Sequence, residues 1–347
     1  MTADTPATLA TVAASAGVSV ATVSKVLNGR ADVGPATRER VQTLLAQHQY
    51  VERRSESARR ATVAEPTVEL VFHGRPNGYW TELLQGVLRA AADAGVAVCI
   101  SARPRHHRGA GVEGTASWVR RLAAVGRRAV IDVVDDAHQG DLAGLSRARL
   151  PLVVIDPLNL PRRQLVSVGA TNSAGGVAAT EHLLGLGHRR IAYMGAEATS
   201  AFNQARLHGY RAVLESAGIQ TRADYVQMVG AHYEDGTAGG AALLDLAEPP
   251  TAVFAATDEL AAGVIEAARV RNLRVPQDLS VVGFDDTEVA RLLSPPLTTV
   301  RQPLREMGAV ALRTALRLAD GDELDSHHVE LATELVIRSS TARLRSR

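Results

Sequence analysis

The chain has 347 residues, 46% of them hydrophobic, and a formal net charge of +1. That length supports more than one packed domain, and the near-neutral charge does not by itself point to nucleic acid. Aromatic residues make up only 3% and there is a single cysteine, which excludes an aromatic-rich β-sandwich, a disulfide framework and a zinc cluster. That cysteine, Cys99, falls in the apolar run VAVCI and reads as a buried strand thiol. The N-terminus has no basic stretch ahead of an apolar core, and no apolar run reaches ~18 residues. A cytoplasmic protein without a membrane span is the expectation.

The first fifty residues read as three short helices. Leu9, Val12 and Ala13 sit at helical spacing, and Gly17 ends that helix. Ser19 caps a second helix that turns Val23 and Val26 inward and stops at Asn28-Gly29. Pro35 opens a third, striped by Val41, Leu44 and Leu45. Two short helices around a tight glycine turn suggest helix-turn-helix geometry.

Residues 51–66 lose hydrophobicity and gain charge, with Arg53, Arg54, Arg59 and Arg60, and read as a basic linker. Beyond it, apolar strand runs alternate with helical stretches. The runs VELVF, VAVCIS, AVIDVV and PLVVID form one set; IAYMG, AVFAA and LSVVGFD form another. Continuous apolar strands alternating with helices predict parallel sheets covered on both faces. The fold class is α/β: a three-helix headpiece plus two doubly wound subdomains. Ligands of such sheets bind beyond the carboxyl ends of the strands, so two facing halves make a cleft.

The stretches LATVAASAGVSVATVSKVLNG and VGPATRERVQTLLAQHQY resemble the DNA-binding headpiece of the LacI/GalR family of bacterial transcription regulators. TEHLLGLGHRRIAYMG, RLHGYRAVLESAGI, ATDELAAGVIEAARVRNLRVPQDLSVVGFDD and PPLTTVRQP resemble its effector-binding core, of periplasmic-binding-protein type. The resemblance implies residues 1–50 as DNA-binding domain, 51–66 as hinge and 67–347 as effector-binding and dimerisation core. Within the core it implies an N-subdomain over 67–165 and 298–320 and a C-subdomain over 166–297 and 321–347.

By the same resemblance, the second helix enters the major groove. Val20, Ala21 and Lys25 would face base edges, while Ser19, Thr22, Ser24 and Asn28 would contact phosphates or cap. Ser19 and Thr22 also fit ordinary capping. The linker departs from the family: no leucine follows Tyr50, so an apolar wedge into the minor groove is replaced by Arg53, Arg54, Arg59 and Arg60. Arginines neutralise phosphates or enter a narrow groove but do not unstack bases.

For the effector, the resemblance implies that Asp285 accepts ligand hydroxyls, that Arg206 is the ligand arginine and that Asp258 shapes the site or is structural. Phe72, His73, Tyr79 and Trp80 lie at and after the first core strand; Tyr79 or Trp80 could stack on a sugar face, or Trp80 could pack inward. His232 and Tyr233 fall where the family places an aromatic over the ligand. Asn172 follows Thr171, where the family usually has aspartate, so a carboxylate is missing there. Metal-ligand spacing is absent among the histidines, and no phosphate loop or nucleophile elbow occurs. No cofactor and no enzyme activity are expected. The implied function is a homodimeric repressor of a carbohydrate catabolic operon, released from a pseudo-palindromic operator by a sugar or oligosaccharide. The alternatives are a corepressor-dependent regulator with a purine-like or other small ligand, and a non-regulatory carbohydrate-binding protein.

Overall fold

A computed structural model describes residues 9–27, 30, 33–47, 65–103, 112–133, 139–157, 165–196 and 200–344. Contacts divide the chain into two compact units, Met1–Ala64 and Glu65–Arg347. Among the described residues, no helix is long and apolar enough to cross a membrane.

In the smaller unit, α1 (Leu9–Ala16), α2 (Val20–Leu27) and α3 (Pro35–Gln47) close around Val12, Ala13, Ala16, Val23, Val26, Val33 and Val41. Gly17 turns the chain between α1 and α2 at φ 65, a conformation in which a Cβ would be strained. Ser19 then caps α2: Thr22 N donates to Ser19 Oγ at 3.1 Å.

The larger unit contains two six-stranded sheets. The first has strands β1 (Thr67–His73), β2 (Ala97–Arg103), β3 (Arg127–Val133), β4 (Leu152–Ile155), β5 (Val166–Ala170) and β11 (His328–Leu331), ordered β11-β5-β4-β3-β1-β2. Every pairing in it is parallel. Its helices are α4 (Gly78–Ala94), α5 (Val112–Ala124), α6 (Gln139–Arg147) and α12 (Leu304–Asp320). Helix α12 belongs here because Leu304, Met307, Ala311 and Leu312 pack with Val68, Leu70 and Leu83. Gly86 makes that contact possible: a Cβ on it would lie 1.9 Å from the Arg305 carbonyl.

The second sheet has β6 (Ile191–Gly195), β7 (Val226–Met228), β8 (Ala252–Ala255), β9 (Ser280–Asp285), β10 (Thr298–Arg301) and β12 (Glu334–Val336), ordered β12-β10-β9-β8-β6-β7. Only β12 runs antiparallel, against β10. Around it lie α7 (Asn172–Gly185), α8 (Ala201–Ser216), α9 (Tyr233–Leu244), α10 (Asp258–Val270) and α11 (Glu288–Leu292).

The strand pairing shifts the expected subdomain borders. Segment 166–170 lies in the first sheet, paired with β4, and not in the second. Segment 298–301 lies in the second sheet beside β9, although the helix after it returns to the first. Segment 328–331 pairs with β5 in the first sheet. The chain therefore crosses between subdomains at 170–172, 301–304 and 331–334. Which sheet a short strand joins depends on its hydrogen-bond partner, and its own residues do not encode that. Cys99 is half-buried and not fully enclosed, because β2 is an edge strand.

Candidate functional site

On α2 the inward residues Val23 and Val26 leave one face to solvent. Val20 is 45% exposed, and Ala21 and Lys25 are exposed beside it. Ser19 and Thr22 are tied to each other, with their hydroxyl oxygens 2.9 Å apart. Thr22 and Ser24 are half-buried. The face thus presents small apolar side chains and one lysine on a capped helix, which permits close approach to a flat or grooved surface. Asn28, Arg53, Arg54, Arg59 and Arg60 lie outside the described residues.

In the core, the carboxyl ends of the two sheets face a cleft enclosing about 730 Å³, part of it open to solvent. From the first subdomain it is lined by Asn77, Tyr79, Trp80 and Asp156; from the second by Ser200, Phe202, Arg206, Asp258, Glu259 and Asp285, among others. Most are placed by an element end, and Arg206 by the second turn of α8. Asn77 caps α4 by accepting from Trp80 N at 3.1 Å, which turns Tyr79 and Trp80 into the opening. Trp80 stacks on Phe72 with ring centroids 4.4 Å apart, so its ring plane is set from behind. Asp156 and Asp285 follow or end strands at φ 46 and φ 109. Non-glycine residues rarely take that conformation, at about 1–3 kcal/mol each, and such strain concentrates at functional sites.

Arg206 is the organising cation. It is 2% exposed, sandwiched against Phe284 (3.7 Å to the ring centroid) and near Phe202 (5.2 Å). Its Nε donates to Asn172 Oδ1 at 2.8 Å and its Nη1 to the Ala256 carbonyl at 2.5 Å. Asp285 Oδ1 lies 3.8 Å from Nη1. Against this one guanidinium the cleft sets Asp156, Asp258, Glu259 and Asp285. Burial raises all four above the usual carboxylate range. Asp285 is pushed up to about 7 by desolvation, with Arg206 and the Gln302 amide pulling it back. Burial and then Asp156, the acceptor of its hydroxyl at 2.6 Å, hold Tyr79 well above its ordinary value.

Against known proteins, the model for bacterial regulatory proteins of the lacI family matches residues 8–52, and that for a periplasmic binding protein-like domain matches 180–341. The chain is 33% identical over 337 residues to the HTH-type transcriptional regulator CelR of Thermobifida fusca, covering 96% of this chain and 98% of that protein. It is 30% identical over 343 residues to the HTH-type transcriptional regulator DegA of Bacillus subtilis (strain 168), with 97% and 98% covered. The chain belongs to the LacI family. It is a transcriptional regulator with a DNA-binding helix-turn-helix and a ligand-binding core, as its two matched domains and full-length relatives show. Similar solved structures include a CelR–cellobiose complex (TM-score 0.71, 32% identity, covering 96% of this chain and 99% of that one). The lac repressor dimer bound to operator and the anti-inducer ONPF is also similar (TM-score 0.71, 28% identity, 97% and 100% covered). The named relatives are regulators, not enzymes.

Within this LacI-family core, Tyr79, Trp80, Arg206, Asp258 and Asp285 are brought together at the cleft. Asn172 stands one step behind, as the acceptor that aims Arg206. Three expected contacts lie elsewhere, and a fourth, His232, stands beside the cleft with Nδ1 4.0 Å from Glu259 Oε2. Phe72 is buried in the first core, behind Trp80. His73 is buried on β1 with Nε2 2.7 Å from Asp132 Oδ1. Both belong to a strand covered on its two faces. His232 is the cap residue of α9, its backbone N–H donating to Asp235 Oδ2 at 3.0 Å, and Ala231 lines the cleft in its place. Tyr233 opens that helix and is 44% exposed. Asp258 lines the wall, yet its oxygens are occupied by Thr299 Oγ1 (2.5 Å), Thr287 N (2.7 Å) and Thr287 Oγ1 (3.0 Å), which makes it a structural acid. Thr171 is tied to Thr333 across the first and third connections.

Sequence reading missed Asn77, Asp156, Phe202 and Glu259. The signal for Asp156 was present: it follows an apolar strand run just as Asp285 ends one. Phe202 and Glu259 reach the cleft only through helix placement.

Proposed function

We propose that this LacI-family regulator represses a carbohydrate catabolic operon as a homodimer and is released from a pseudo-palindromic operator by an uncharged sugar in the cleft. The observation that carries this reading is the make-up of the cleft: the buried carboxyls of Asp156 and Asp285 and the half-buried Glu259 line it with one guanidinium that is already paired. Such a site gives a phosphate or carboxylate ligand no unpaired cation among its described lining residues and offers acceptors to hydroxyl groups. Trp80 supplies an apolar ring face at the same opening. CelR is solved with cellobiose, and the lac repressor is solved as an operator-bound dimer. A two-fold dimer matches two half-sites of an operator, each read by one outward face of α2.

Switching requires the sugar to bind one subdomain arrangement better than the other. A coupling of ~1–3 kcal/mol loosens the operator several-fold to about a hundredfold. The test is a thermal-shift panel of cellobiose, ribose and glucose 6-phosphate, followed by anisotropy titration of operator DNA. Stabilisation and operator release by a neutral sugar, with no response to the phosphorylated one, is the expected result. Stabilisation by glucose 6-phosphate alone would refute the charge argument. Tighter operator binding with ligand would establish a corepressor.

Sugar affinity should also depend on pH. A hydroxyl donated to Asp285 favours its ionised form, so binding expels the proton that the effector-free group carries below about 7. Affinity is then expected to rise from pH 5.5 to 7, by up to ~10-fold per pH unit, and to level off above. The effector-free core shows the opposite trend. Its raised carboxyl adds stability that is complete near the unfolded value of 3.8 and lost as pH climbs through about 7. Isothermal titration with the responding sugar across that range reads the first trend, and melting curves read the second.

A further inference from the structure

Three connections join the subdomains of the core, and two of them grip the side chains at the base of the cleft. On the first, Asn172 accepts from Arg206 Nε at 2.8 Å. On the second, Gln302 follows β10 and precedes α12, and its Nε2 donates to Asp285 Oδ1 at 2.6 Å. The backbones join as well: Gln302 N donates to the Asp285 carbonyl at 3.3 Å, and Leu304 N donates to the Gln302 carbonyl at 2.8 Å. Asp285 is thus linked through one residue to the helix that packs in the other subdomain.

Gln302 is 3% exposed, and its Oε1 has no hydrogen-bond partner. A buried amide oxygen without a donor destabilises the folded state. A methionine has similar length and would fill the same space without that unpaired atom. The amide is therefore a poor choice for stability alone, and its one useful contact is the donation to Asp285.

We infer that Gln302 is the positioning residue that ties the effector-facing carboxylate of Asp285 to the second connection between the subdomains. This rests on reading the cleft as the effector site. A sugar hydroxyl that draws Asp285 toward itself strains the Gln302 bond and, through it, the start of α12. The subdomain arrangement that relieves the strain is then favoured by the bound state. Arg206, Asp156, Asp258 and Glu259 also act on Asp285, and they are unchanged when Gln302 is replaced.

The experiment uses the full chain and two variants, Gln302→Met and Gln302→Glu. The carboxyl of Asp285 is titrated by carbon NMR, with Asp285→Asn used for assignment. In Gln302→Met the midpoint is expected to move to higher pH by about 0.5 or more, because a hydrogen bond to the ionised form is lost. In Gln302→Glu it moves at least as far, since a second carboxylate faces it. The melting temperature of Gln302→Met stays at or above that of the wild type, whereas a purely structural role predicts a fall. With cellobiose, the variant binds within several-fold of the wild type yet releases operator at least ~10-fold less effectively. An unmoved Asp285 midpoint, or equal operator release by wild type and Gln302→Met, overturns the inference. A wild type indifferent to cellobiose overturns that sugar as effector, and the titration alone then decides the role of Gln302.

Discussion

Replacing Arg206 with methionine is expected to abolish the effector response and to destabilise the core by ~3–5 kcal/mol at pH 7.5, the range for removing one partner of a buried charge pair. The guanidinium is the sole cation lining the described cleft, set among Asp156, Asp258, Glu259 and Asp285. Methionine keeps much of the packing against Phe202 and Phe284, so the loss reports charge and hydrogen bonding more than volume. Asn172 Oδ1 and the Ala256 carbonyl also lose their donor. The sign of the pH dependence follows from Asp285, which Arg206 holds below where burial alone would put it. Without the cation that carboxyl takes up its proton at still higher pH. The deficit should therefore be largest above pH 8 and shrink as the solution is acidified toward 5.5. Melting curves of the two proteins at matched pH measure it; a constant difference across that range would show that packing and not charge sets the loss. Arg206→Lys should fare little better, because an ammonium has no planar fork to serve Asn172, Ala256 and Phe284 together.

A chain shortened to 65–347 is expected to lose operator binding by ~10³-fold or more while keeping the core's melting transition and sugar response. The headpiece closes around its own core of Val12, Val23, Val26 and Val41, and the larger unit around its two sheets. Neither needs the other's residues to complete those clusters. Anisotropy on promoter fragments decides the matter, and the salt series adds a second reading. For the intact chain, affinity should fall steeply with salt, with a slope of about 0.9 per phosphate neutralised. The shortened chain should show almost no slope. Equal affinity of the two proteins for promoter DNA would mean that α2 is not the reading element.

Legibility differed sharply between parts of the molecule. Helix α2 could be read directly, since Ser19, Val23, Val26 and the glycine at 17 are local signals of cap, stripe and turn. The strands VELVF, PLVVID and LSVVGFD were equally plain as apolar runs. The segment VSVGA was not, because small residues and a glycine dilute its pattern; it pairs with β4 and β11 only in three dimensions. Helix α7, NSAGGVAATEHLLG, carries two glycines where it meets α8 and Phe284, so its propensity is weak and its contacts are close. At the site, Asp285 and Arg206 lie in recognisable motifs, whereas His73 and Phe72 looked suitable by chemistry and are held inside the first core, and Tyr233 stands exposed at the start of α9.

The amino-acid order alone determined a short capped helix, a basic run of sequence and two series of alternating apolar strands and helices. Those properties arise from neighbours within a few residues, and local physics suffices to state them. Which strand joins which sheet, and which acids share one guanidinium, were decided by the tertiary structure. Residues as distant as Asp156, Arg206, Asp285 and Gln302 meet because parallel crossovers carry strand ends to a common edge. Once desolvated there, their charges are governed by one another and no longer by water.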